Sequence, residues 1–396
     1  MNKEEFLKDY CPDRHGTSCY KWDILEEKYG SADLISMWVA DMDFKSPKEV
    51  VEALHKMVEF GVFGYTFPKD SFYQSFINWE KRRHNWEVEK DWIRFAPGVV
   101  SGIFWGVSIL TEKDDAVIIN MPVYYPFHNA IKNLGRKLIS SELVNTNGIY
   151  TIDFEDFEKK IVENNVKLYI LCSPHNPVGR VWKEEELTRL FEICEKHNVK
   201  IISDEIHHDV IIGENAHIPS ASVANGKFSE SIITLTSASK TFNLAGMKNS
   251  FVIIKNEEIR KKFDSFVESI NDDTGNMLGY CAIESAYNNG EEWLETVLNI
   301  IKDNYNYVVE RLGKELPKAK VTPLEGTYLA WLDLSEYLGK VGEAEMKEFV
   351  ETKARLAVDY GEWFGDGGRG FIRLNLATKP EFVEKAVDGL VFALNN

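Results

Sequence analysis

Lys167-Leu168-Tyr169-Ile170-Leu171-Cys172 is a near-continuous apolar run, and Val199-Lys200-Ile201-Ile202-Ser203 is another. Between them, residues 183–197 carry apolar side chains at helical spacing: Leu187, Leu190, Phe191 and Cys194. Strand, helix, strand is the repeating unit of a largely parallel sheet covered by helices on both faces. The runs are apolar at successive positions rather than alternating, as strands buried on both faces require. Ala116-Val117-Ile118-Ile119-Asn120, Ile232–Thr236 and Ser250–Ile254 share that texture. The alternation spans residues 46–285 and predicts a large α/β domain. After residue 286 the texture changes. Charged helices are expected over 292–316 and 343–356, bracketing a short strand at 328–332, and a strand at 371–376 precedes a C-terminal helix. This predicts a smaller α+β domain made of residues 286–396 joined by residues 1–45.

A chain of 396 residues is long for one core, so two domains are the default. Hydrophobic content of 44% and charged content of 28% describe an ordinary globular protein. A net charge of −17 argues against nucleic-acid binding, which needs a basic face. Lys81-Arg82-Arg83-His84 is a short basic run, expected on a solvated helix face. Met1-Asn2-Lys3-Glu4-Glu5 carries charge where a signal peptide would be apolar. No apolar stretch reaches the roughly 18 residues of a membrane span. The five cysteines are scattered without a Cys-x-x-Cys pair, which suits reduced thiols in the cytoplasm.

In parallel sheets, ligands bind beyond the carboxyl ends of the strands. Asn176, Asp204 and Lys240 all follow such ends. A lysine and a carboxylate there are what pyridoxal 5'-phosphate (PLP) chemistry uses. The lysine holds the aldehyde as a Schiff base, and the acid keeps the pyridine nitrogen protonated. Asp204 could otherwise cap a helix. Glu205, beside it, points elsewhere and reads as structural. Asn176, in Ser173-Pro174-His175-Asn176-Pro177-Val178-Gly179, sits in a turn and can also donate to the cofactor's ring oxygen. Pro97-Gly98-Val99-Val100-Ser101 reads as a turn into a helix N-terminus, whose free N–H groups at Val99 and Val100 suit a phosphate. Ser237 and Lys248 can complete that cup. Tyr124 can stack on the ring, or pack in the core as Tyr125 or Phe127 would. His207 can bond near the ring oxygen, back up Asp204, or serve structure alone. Arg373, in an apolar strand, matches a substrate α-carboxylate or an internal ion pair. Gly365-Asp366-Gly367-Gly368-Arg369-Gly370 fits G-x-G-x-x-G but precedes a strand near the C-terminus, the wrong context for a dinucleotide. Residues 204–209 offer metal-ligand types without His-Glu-x-x-His spacing, so no metal site is expected.

Together these segments resemble the aspartate-aminotransferase superfamily of fold-type I PLP enzymes, across nearly the whole chain. The resemblance is nearest to cystathionine β-lyases of the MalY/PatB type. It rests also on Trp38-Val39-Ala40-Asp41-Met42-Asp43-Phe44, Gly61-Val62-Phe63-Gly64-Tyr65, Ser239-Lys240-Thr241-Phe242-Asn243 and Gly370-Phe371-Ile372-Arg373-Leu374-Asn375. It implies Lys240, Asp204 and Tyr124 as catalytic residues, Asn176 on the ring oxygen, and Arg373 on the substrate carboxylate with backbone near Val39 and Ala40. It implies a homodimer with shared active sites, Tyr65 reaching the neighbouring subunit's phosphate. The implied activity is C–S β-elimination on an amino acid; the same catalytic set would serve an aminotransferase, and a non-catalytic regulator is a remote alternative. Lys248 stands where many relatives carry arginine, and His207 where aminotransferases proper often have tyrosine.

Overall fold

A computed structural model describes residues 2–272 and 275–395. Its centre is a seven-stranded sheet of β1 (Ile93–Ala96), β2 (Ala116–Met121), β3 (Lys137–Glu142), β4 (Leu168–Cys172), β5 (Lys200–Asp204), β6 (Ile232–Thr236) and β7 (Ser250–Ile254). The strand order is β1-β7-β6-β5-β4-β2-β3. Neighbours pair in parallel, except that β7 runs antiparallel to both β6 and β1.

The main helices are α1 (Asp70–His84), α2 (Val99–Leu110), α3 (Phe154–Asn164), α4 (Glu184–Lys196), α5 (Glu257–Ile270), α6 (Glu291–Glu315) and α7 (Pro380–Asn395). Successive strand residues point to opposite faces, and the packing divides accordingly. Val117, Ile119, Leu168, Ile170 and Ile202 pack with Val99 and Ile103 of α2 and Phe263 of α5. Ile118, Tyr169, Leu171 and Ile201 pack with Phe157 of α3 and Leu187, Leu190 and Phe191 of α4. Both faces are thus covered, which is why β2, β4, β6 and β7 are buried at every position.

The edge strands β1 and β3 extend the sheet beyond the runs read from sequence. β3 is Lys-Leu-Ile-Ser-Ser-Glu and is largely half-buried or exposed. An edge strand needs less apolar surface and so leaves a weaker pattern.

A second, antiparallel sheet consists of β8 (Lys320–Val321), β9 (Leu329–Asp333), β10 (Asp359–Tyr360) and β11 (Phe371–Asn375), in the order β8-β9-β11-β10. The N-terminal segment joins this part of the chain, Ile35–Ser36 pairing in parallel with Leu356–Ala357. The helix expected over 343–356 is shorter: α-helical at Glu343–Lys347, then a π-turn at Glu348–Lys353. Arg355 takes a left-handed φ of 59°, which stops the helix and frees buried Leu356 to pair as a strand. The basic run at the end of α1 also departs from expectation. Lys81 and Arg82 are solvated, but Arg83 turns partly inward and the His84 side chain is only 4% exposed. Among the described residues, no helix is long and apolar enough to cross a membrane.

Candidate active site

Beyond the ends of β4, β5 and β6 lies a cavity of about 200 Å³. Its walls include Val99 and Val100 at the start of α2, Tyr124, Asn176, Asp204, His207, Lys240 and Ala40. Residues far apart in the chain meet here because parallel strands deliver their carboxyl ends to one edge of the sheet.

Lys240 lies in the helical turn Ala238–Thr241 that follows β6. Its Nζ donates to the Ala40 carbonyl, which also accepts from Tyr328 Oη at 2.8 Å. Burial draws the Lys240 amine down to about 8; Asp41 pulls the other way, and Arg373 pushes it further down. Asp204, the last residue of β5, is buried and accepts from the Ile206 N–H at 3.1 Å. Burial lifts its carboxyl to about 7, against the Ile206 N–H and Lys240. Each group sits where its own charge is disfavoured, a common state of functional residues. His207 is buried with Nδ1 lacking a partner, and its ring meets Tyr328 edge-on at 5.5 Å. Burial, with Lys240 and Arg373 nearby, holds this imidazole well below its ordinary value, so it is neutral.

Arg373, in β11, is buried at 3% exposure. Its Nη1 donates to Asn176 Oδ1 at 2.8 Å, and its Nη2 meets Asp359 and the Trp38 carbonyl. Its Nε has no partner. The internal ion pair is therefore present, with Asp359 opposite Arg373 in register on β10. One donor of the fork remains free. The bond to Asn176 also fixes that amide: its oxygen faces Arg373, which leaves its NH₂ as the donor toward the cavity. The turn after Asn176 uses Gly179 at φ 70°, the conformation expected of that glycine.

Other residues singled out in the sequence lie apart from the cavity wall. Ser237 Oγ accepts from the Ser239 N–H at 3.1 Å and donates to the Asn249 carbonyl at 2.9 Å, so it shapes the Lys240 turn, while Ser239 lines the cavity. Lys248 is exposed with φ 45°. Val39 contributes its carbonyl to Asn375 Nδ2. Tyr65 is fully exposed at 112%. Glu205 binds Ser203 Oγ, the Ser220 N–H and His217, a structural role.

Several supporting residues had not been singled out. Asn243, at φ 58°, accepts from the Met42 N–H and donates to the Met42 and Phe44 carbonyls, pinning the 38–44 segment over Lys240. Asn375 grips the Val39 and Asp41 carbonyls of the same segment. Both asparagines stand inside quoted motifs, the one signal that could have flagged them. Asp359 left no signal without knowledge of the β10–β11 pairing.

This donor set fits PLP: an amine and a buried acid on one cavity, an amide NH₂ held by arginine, an unpartnered imidazole nitrogen, and a helix N-terminus for phosphate. Fold and site together define a PLP-type α/β architecture. The chain belongs to the aminotransferase class I and II family, matched over residues 32–390. It is 39% identical to cystathionine beta-lyase PatB of Bacillus subtilis (strain 168), over 92% of this chain and 93% of that protein. It is 33% identical to protein MalY of Escherichia coli (strain K12), over 96% and 97%. Among solved structures it resembles cystalysin from Treponema denticola, which contains pyridoxal 5'-phosphate, with a TM-score of 0.93, 38% identity, and coverage of 97% of this chain and 98% of that one.

Proposed function

We propose that this chain is a PLP-dependent carbon–sulfur β-lyase. It eliminates a thiol from cystathionine or a related S-substituted cysteine and leaves pyruvate and ammonia. The observation that carries the reading is the convergence of Lys240, Asp204, Asn176 and His207 on one cavity. The named lyases among its relatives support the sulfur chemistry. Bound PLP supplies the sink for the electron pair released at the substrate Cα. Lys240, its amine drawn down to about 8, is the base that takes the Cα proton. Asp204 keeps a proton at the pyridine nitrogen, and the Asn176 NH₂ and His207 donate around the ring oxygen. Tyr124 stacks on the ring. The N–H groups of Val99 and Val100 receive the phosphate, and Ser237 acts at one remove by holding the Lys240 turn. Arg373, oriented by Asp359, binds the substrate carboxylate, assisted by the backbone of Val39 and Ala40.

In this reading residues 46–285 form the cofactor-binding domain, residues 1–45 and 286–396 the smaller one, and the enzyme works in the cytoplasm on a small amino acid. It is a homodimer with shared sites. The run Phe60, Val62, Phe63, Tyr65 and Phe67 is exposed at 60% or more throughout, which supports burial against a second copy. The deciding assay supplies L-cystathionine without a keto-acid acceptor and follows free thiol and pyruvate. Equal release of both is expected. No thiol, with amino-group transfer from ordinary amino acids to a keto acid, would make the protein an aminotransferase instead.

A further inference from the structure

Helix α1 ends in Glu80-Lys81-Arg82-Arg83-His84, which sets Glu80 and His84 four residues apart on one helical face. That face is turned inward: Glu80 is 2% exposed and the His84 side chain 4%. Opposite it, just past β5, His208 and Asp209 are both buried. One ligand atom from each of Glu80, His84 and His208 lies within 4.8 Å of the other two. Glu80 Oε1 and His208 Nε2 are 3.3 Å apart, yet neither has a hydrogen-bond partner. Asp209 Oδ2 lies 3.2 Å from the same nitrogen, so the three groups pair by charge rather than through a well-aligned hydrogen bond.

We propose that this cluster is a second site, separate from the Lys240 cavity, that holds one divalent transition cation of the zinc class through Glu80, His84 and His208. Two imidazoles and a carboxylate are a donor set that zinc accepts. Metal–ligand bonds of about 2.1 Å imply tetrahedral edges of about 3.4 Å. The three ligand atoms, within 4.8 Å of one another, would have to draw together by up to about 1.4 Å to reach those edges. The surroundings match what such a site needs. His208 Nδ1 sits 2.7 Å from the Glu205 carbonyl and beside the Thr236 hydroxyl, partners that hold the ring with Nε2 facing Glu80 and Asp209, where a cation would take the place of the proton on that nitrogen. Asp209 lies against both imidazoles, 2.9 Å from His84 Nε2 and 3.2 Å from His208 Nε2. It is itself held by Trp79 Nε1 at 3.0 Å and Thr241 Oγ1 at 2.7 Å. An entry path exists as well, because His84 and His217 line a surface cleft of about 500 Å³. Thr241 follows Lys240 directly, so the cation would brace the base of the catalytic turn.

The test uses PLP-loaded enzyme stripped with a chelator and titrated with Co²⁺, whose visible d–d bands report low-symmetry coordination. The expected result is one Co²⁺ per chain, displaced by Zn²⁺. His84→Asn and Glu80→Gln should each weaken Co²⁺ by more than the roughly 10- to 100-fold typical of losing an outer partner. Retained cofactor absorbance verifies that the variants fold. Absence of saturable Co²⁺ uptake by the unmodified enzyme, or unchanged uptake in either variant, overturns the proposal and leaves an imidazolium between carboxylates.

Discussion

Asp204 is a carboxylate kept where its charge is unwelcome, and stability should reveal that. Its folded pKa of about 7 exceeds the ordinary 3.8, so ionisation destabilises the cofactor-free fold. The penalty is small near pH 4, grows as pH rises, and is complete above about 7. At about 1.4 kcal/mol per unit, Asp204→Asn should stabilise the cofactor-free protein at pH 8, and by roughly 2.5 kcal/mol more than at pH 5. Denaturant unfolding at the two pH values measures this; an equal effect at both would mean the carboxylate is well solvated. The same substitution should lower kcat at least about 100-fold, since a neutral amide cannot keep the ring nitrogen charged. Lys240, Asp204 and Asn176 were legible because their positions at strand ends are themselves a chemical signal. The cross-strand partner of Arg373 was not. Asp359 and Arg373 are 14 residues apart and meet only through the β10–β11 register, which composition does not encode.

At the level of elements, the phosphate end of the cavity depends on how closely α2 approaches the sheet. Gly102 and Gly106 lie four residues apart on its buried face. A Cβ at Gly102 would meet Leu235 Cδ2 at 3.0 Å, and one at Gly106 would meet Ile202 Cδ1 at 2.7 Å. Both glycines therefore set the helix height. Gly106→Val should lift α2 from β5 and shift the Val99 and Val100 N–H groups, at a cost of about 1–3 kcal/mol in stability. PLP affinity should fall at least tenfold, roughly the effect of losing one good contact, while kcat at saturating PLP stays near the parent value. Titration of the cofactor-free variant with PLP measures this. Unchanged affinity beside the same stability loss would show that the strain is absorbed away from the helix N-terminus. The central strands were readable because each is apolar on both faces. The edges β1 and β3 and the break after residue 347 were not, because solvent relieves the first and a single left-handed residue, Arg355, decides the second.

Over the whole molecule, the most conspicuous surface feature is the aromatic run around Tyr65, exposed in a chain that otherwise carries a charge of −17. Such a patch on an acidic protein calls for cover, and a symmetric dimer covers it twice. If Tyr65 serves the partner's phosphate, an active site needs Lys240 from one chain and Tyr65 from the other. Tyr65→Ala and Lys240→Ala should then each be inactive or nearly so as homodimers. Mixed and allowed to exchange, they form heterodimers in which one site has both residues intact and the other has neither. Random exchange puts half the dimers in that state, so about a quarter of the parent activity per site should return. Thiol release from cystathionine, followed during exchange, measures it. Recovery would place Tyr65 across the interface; no recovery, with exchange verified by a tagged subunit, would place its role within its own chain and remove the basis for shared sites.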